Sequence, residues 1–89
     1  MYLHLGQSVM APFRDVIGIF DLDNTTQSHI TRKFLSRAER EDRVVTVGSE
    51  LPKSFILCAE RKPGGRDRIY ISQLSAATLL RRVEEQVLE

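Results

Sequence analysis

The run Ser54-Phe-Ile-Leu-Cys-Ala59 constrains this chain more than any other segment. It is short, uncharged and almost wholly apolar. A run of that length suits a strand at the centre of a sheet better than a helix. A second run, Asp15-Val-Ile-Gly-Ile-Phe20, reads as another buried strand, and Gly18 within it marks a bulge or a close backbone approach. The chain has 89 residues, enough for one domain spanning 1–89. A domain this small buries only about 60–65% of its unfolded surface, so self-association is a reasonable way to add buried area.

Shorter signals fill in the rest. Tyr2 to Leu5 forms a strand that stops at Gly6 in a tight turn, and Ser8 to Ala11 is its partner, ended by Pro12. Asn24, with Gln27 three residues on, has the pattern of a helix N-cap and capping box. Ile30, Phe34, Leu35 and Ala38 follow at helical spacing, with Lys33, Arg37 and Arg40 on another face, and the helix ends near Asp42. Arg43 to Val47 is a strand closed by Gly48. Pro63-Gly64-Gly65 is a turn, and Arg68 to Ile71 returns from it as a hairpin partner for Ser54 to Ala59. Ser75 caps a last helix whose inner stripe is Ala76, Leu80, Val83 and Val87, with Leu79 beside it. The order is β-β-β-α-β-β-β-α, an α+β fold with a small antiparallel sheet and two helices.

Composition narrows the function. Thirteen Lys and Arg against twelve Asp and Glu leave a formal charge of +1, which excludes a polybasic tail but not a local basic face. The single cysteine, Cys58, excludes an intramolecular disulfide framework and a cysteine-built zinc site. His4 and His29 lack ligand spacing, so no metal or other cofactor is expected. Tyr2, Phe13 and Tyr70 form no stacking series, which disfavours single-stranded nucleic acid. With no apolar run near 18 residues, no secretory signal and a lone thiol, the cytoplasm is the expected compartment.

One motif invites an enzymatic reading. Phe20-Asp21-Leu22-Asp23-Asn24-Thr25 resembles the first motif of haloacid-dehalogenase-like phosphatases, in which Asp21 would be the nucleophile and Asp23 the acid/base. The companion motifs of that family are missing, and the chain is about half the length its core requires. Turn and N-cap roles account for Asp21, Asp23 and Asn24 more simply, so the chain is read as a non-enzyme.

Four collinear segments carry a wider resemblance. They are Tyr2-Leu3-His4-Leu5-Gly6, Phe13 to Asp21, Pro52-Lys53-Ser54-Phe55-Ile56-Leu57, and Ile69-Tyr70-Ile71-Ser72 running into Ser75 to Leu79. Together they are similar to the RemA/RemB family of bacterial extracellular matrix regulators, on its RemB side. That resemblance implies a small α+β fold like the LytTR DNA-binding domain. It also implies closed homo-oligomeric rings that present a repeated basic surface to double-stranded DNA, and a role in transcription of biofilm matrix genes. By the same resemblance Arg14 matches an arginine used for DNA, and Lys53 a basic position in the turn before the central strand. RemA-type members carry an Arg-Arg pair in that turn where this chain has Glu50-Leu51, which reverses the local charge.

A ring changes the weight of each cation, because one or two per subunit become many around a rim, and neutralising several phosphates together releases counterions. Arg14 is the first expected DNA contact and Lys53 the second; the alternative roles for Arg14 are pairing at a ring interface and a structural ion pair with Asp15 or another carboxylate. Lys62 and Arg66 come third, in the densest basic loop, Arg61 to Arg68, which reads first as a soluble hairpin tip and second as the best compensation for the missing Arg-Arg pair. The Lys33, Arg37, Arg40 stripe is interleaved with Glu39 and Glu41 and reads as a solvated helix face. The expected function is transcriptional regulation through phosphate contacts. The alternative is a protein–protein module with little DNA binding of its own, acting on a paralogous regulator, and Glu50-Leu51 favours it.

Overall fold

The computed structural model describes residues 1–22 and 29–87. Six strands and two longer helices run in the expected order: β1 (Tyr2–Gly6), β2 (Val9–Pro12), β3 (Val16–Asp21), α1 (His29–Arg40), β4 (Val44–Val47), β5 (Ser54–Cys58), β6 (Arg68–Ser72) and α2 (Ala76–Val87). A single 3-10 turn, Phe13–Asp15, joins β2 to β3. The Asn24 and Gln27 capping residues expected for α1 lie outside the described residues.

The strands do not form one antiparallel sheet. β1 and β2 make a two-stranded hairpin of their own, while the other four run in the order β3-β5-β6-β4. In this second sheet β5 pairs antiparallel with both β3 and β6, but β4 pairs parallel with β6. The α+β class holds, and the antiparallel expectation is corrected to a mixed sheet. With β5 paired on both sides, β4 adds at the outer edge of β6 and leaves β3 as the other edge strand.

Alternation on β5 explains its unbroken apolar sequence. Phe55 and Leu57 face one layer, Ile56 and Cys58 the other, so both faces of the strand are covered. On one side Ile56 and Cys58 pack with Leu3, Leu5 and Ala11 of the hairpin and Leu79 of α2. On the other, Phe55 and Ile69 pack with Leu22 and with Ala38 of α1. The two layers are pinned by buried serines. Ser72 Oγ donates to the Leu5 carbonyl at 2.7 Å and accepts from the Leu74 N–H at 3.0 Å, tying β1 to β6. Gly18 combines both expected roles: the β3–β5 register slips between Val16 and Gly18, and a Cβ there would meet the Phe20 ring at 2.8 Å. That ring stacks on Phe55 with centroids 4.8 Å apart.

Both helices bury narrower faces than their periodicity suggests. In α1, Ala38 is fully buried and Leu35 packs partly against the same core, but Ile30 is 79% exposed and Phe34 38%. In α2 the anchors are Ala76 and Leu79, with Val83 packed beside them, whereas Leu80 is 47% exposed. The Val87 side chain is outside the described set. Ser75 caps α2 as expected, its Oγ accepting the Thr78 N–H at 3.1 Å. At the end of α1, Asp42 takes a left-handed φ of 59°. Its N–H donates to Glu39 O at 3.1 Å, and that of Arg43 to Ala38 O at 2.9 Å, a Schellman-type stop.

Candidate nucleic-acid interface

Arg14 sits in the 3-10 turn entering β3, a segment with little freedom. Its carbonyl accepts from Arg61 Nη2 at 3.0 Å, while Asp15 pairs with the Arg61 guanidinium. The expected Asp15 partner is therefore Arg61 and not Arg14. The Arg14 side chain is exposed beside Met1, Tyr2, Pro12 and Phe13, and it meets no carboxylate among the described residues.

Lys53 is held just as firmly by its backbone. Its N–H donates to Ser72 O at 2.9 Å and its carbonyl accepts from Leu22 N–H at 2.9 Å. The side chain is exposed and has no ion pair among the described residues. The loop before it is shaped by Gly48, where φ is +85° and a Cβ would meet Gln73 Oε1 at 2.4 Å. That same Oε1 accepts from the Glu50 N–H at 3.2 Å. Glu50 and Leu51 are exposed at the loop tip, Leu51 by 80%, so the pair that replaces Arg-Arg is presented to solvent.

In the Arg61 to Arg68 loop most of the cations are engaged with carboxylates. Arg61 pairs with Asp15, Arg66 Nη1 lies 2.9 Å from Glu41 Oε2, and Arg68 Nη2 lies 3.5 Å from Glu60 Oε2. Lys62 is the exception: its side chain is exposed and makes no ion pair among the described residues. Glu41 is the hub of a clamp that sequence reasoning missed. Arg43 approaches it with Nη2 at 2.9 Å and Nε at 3.0 Å, and Arg37 stands at 3.7 Å. Arg43 also donates from Nη1 to Asp67 O at 2.8 Å, so the clamp fastens the base of the loop to the α1–β4 turn. The Arg43 hydrogen bond is the main cause that holds the Glu41 carboxyl below its ordinary range; burial opposes it, and the hydrogen bond and charge of Arg66 add to the lowering. Glu41 and Arg66 lie 25 positions apart, so no local spacing signals their pairing.

The four expected contacts do not form one cluster in this chain alone. Arg14 and Lys53 are anchored and available, Lys62 is available on a turn, and Arg66 is committed to Glu41. Cys58 is buried in β5, and burial followed by the Asp15 charge pushes its thiol up to about 11, far from a reactive thiolate. Asp21 closes β3 opposite Ser54, Asp23 lies outside the described residues, and no group of His, Cys, Asp or Glu among the described residues is placed to hold a metal ion. No described helix is long and apolar enough to cross a membrane.

Over 84 residues the chain is 33% identical to extracellular matrix regulatory protein B of Bacillus subtilis (strain 168), a match that covers 94% of this chain and 91% of the relative. The chain belongs to the RemA/RemB family of extracellular matrix regulatory proteins. No family model matches the sequence. As a RemA/RemB-family protein it carries Arg14 at the entrance of β3 and Lys53 at the entrance of β5; these strands pair antiparallel, so the two cations stand at opposite ends of the strand pair.

Proposed function

We propose that this protein is a transcriptional regulator of extracellular matrix and biofilm genes that binds duplex DNA through phosphates as a closed homo-oligomer. The observation that carries the reading is the pair Arg14 and Lys53. The main chain of each is held by hydrogen bonds, while the side chain is exposed and without a carboxylate partner among the described residues. Because their backbones are held, each cation starts from a fixed point on the surface and only its side-chain rotamer freedom is left to lose on meeting a phosphate. Kinship with extracellular matrix regulatory protein B supports the regulatory role. Self-association is supported by β3, which lies at the free edge of its sheet with Ile17 and Phe20 exposed, a row of unpaired backbone groups beside apolar surface. A LytTR-like docking of the fold on DNA and a cytoplasmic setting belong to the same reading. Sequence preference would come from site spacing and DNA bending, because phosphate contacts carry no base code.

A mobility-shift titration in increasing salt tests the proposal. The expected result is steeply salt-dependent binding, reduced in Arg14→Ala while the oligomer persists. Binding that is flat across salt, or none at about tens of micromolar protein, contradicts it. The alternative, a regulatory module that acts on a paralogous regulator, is favoured by the exposed Glu50-Leu51 tip. It predicts that Arg14→Ala disrupts assembly and leaves any DNA retention unchanged.

A further inference from the structure

We infer that the outward face of α1 is a phosphate-binding surface for duplex DNA, distinct from Arg14 and Lys53. The inference rests on the DNA-binding reading above and assigns it a surface. His29, Arg32, Lys33, Ser36, Arg37 and Arg40 recur at steps of three and four and line one shallow depression. At 1.5 Å per residue the stripe runs about 16 Å. Its orientation is fixed from behind, since Ala38 is fully buried and Leu35 packs on the Phe55–Ile69 core, so α1 cannot turn these residues inward.

Charge makes the stripe a polyanion surface. Arg32, Lys33 and Arg40 make no ion pair or side-chain hydrogen bond among the described residues, and Arg37 meets Glu41 only at 3.7 Å. No carboxylate among the described residues lines the depression. Glu39 and Glu41, which interleave with these cations in sequence, project to the flanks at 100° per residue. Cations at i and i+4 stand about 5–6 Å apart at Cβ, close enough to follow successive backbone phosphates. A lipid surface fits less well. An interfacial helix must insert an apolar face, but the main apolar face of α1 is against the sheet and only Ile30 and Phe34 remain exposed beside the stripe.

The test uses the full chain, a fluorescently labelled duplex, and anionic vesicles of phosphatidylserine and phosphatidylcholine. Ser36→Glu places a carboxylate mid-stripe, four residues from both Arg32 and Arg40, where it supports the helix, so any loss of binding is not a loss of fold. The expected result is at least about a tenfold fall in duplex affinity. In the double variant Arg32→Gln, Lys33→Gln the slope of log affinity against log salt should drop by about two, near 0.9 for each lost phosphate contact. Ile30→Ser should leave duplex binding unchanged. If the unmodified protein binds duplex with the same affinity and slope as these variants, the α1 face is not the contact and only this inference falls. If the unmodified protein binds no duplex, the DNA reading falls with it. Vesicle binding that disappears in both Ser36→Glu and Ile30→Ser, with duplex binding untouched, assigns the face to lipid and overturns the inference.

Discussion

Two parts of the molecule carry four cations each and differ in what surrounds them. The β5–β6 loop has Arg61, Lys62, Arg66 and Arg68, and every arginine has a carboxylate in contact. The outer face of α1 has Arg32, Lys33, Arg37 and Arg40, and only Arg37 is near an acid, at 3.7 Å. The loop is denser in sequence, yet it holds the hairpin to the rest of the fold. The helix face is interrupted by Glu39 and Glu41 in sequence, yet those acids are turned aside. Positive surface therefore depends on where tertiary contacts send the carboxylates, and a count of cations along the chain does not measure it.

Charge reversal should break the symmetry most strongly. Arg32→Glu is expected to lower duplex affinity about tenfold at unchanged thermal stability, because one exposed phosphate contact becomes a repulsion. Arg66→Glu should do the opposite: it sets two carboxylates side by side at Glu41, lowers Tm, and changes affinity less. Fluorescence anisotropy and a thermal melt on both variants read the crossed pattern. Equal affinity losses would erase the distinction between the two regions.

Glu41→Gln sharpens the comparison from the acid side. It releases Arg66 and loosens Arg43 and Arg37, so Tm should fall while duplex affinity rises roughly threefold through the freed charge. The pH dependence has a fixed sign. Arg43 and Arg66 lower the folded-state pKa of Glu41, so its stabilisation is complete above the ordinary glutamate range. It is lost as pH falls through the lowered value. Urea titrations between about pH 5 and about pH 3 should show a shallower loss of stability in Glu41→Gln than in the unmodified chain. The smallest effect belongs to Lys62→Gln, a single exposed cation on a turn. Its affinity should change less than about threefold and its stability by no more than about 0.5 kcal/mol, read by the same anisotropy and melts.

Much of the fold is legible in the chain because its signals are local. The Ser54-to-Cys58 run, the Pro63-Gly64-Gly65 turn, the Ser75 cap and the stop at Asp42 each depend on residues a few positions apart. The parallel pairing of β4 with β6 is not local and has no such signature. Nor do the exposures of Ile30 and Leu80 follow from helical periodicity, since burial depends on how much of the opposite layer each helix reaches. The same divide runs through the site. Arg14 and Lys53 are identifiable beside strand entrances, whereas the commitment of Arg66 to Glu41 joins residues 25 apart. Arg32 was within reach of sequence reasoning, because the 29, 32, 33, 36, 37, 40 spacing marks one helix face; counting Glu39 and Glu41 into that stripe hides it.

Sedimentation of the protein with and without a labelled duplex tests the central claim most directly, that cations weak on one subunit act together on a polyanion. The expected result is a closed assembly larger than one 10.2 kDa chain, moving with the duplex at low salt and leaving it as salt rises. A protein that sediments as a single chain at high concentration, and leaves the duplex free at every salt, contradicts it.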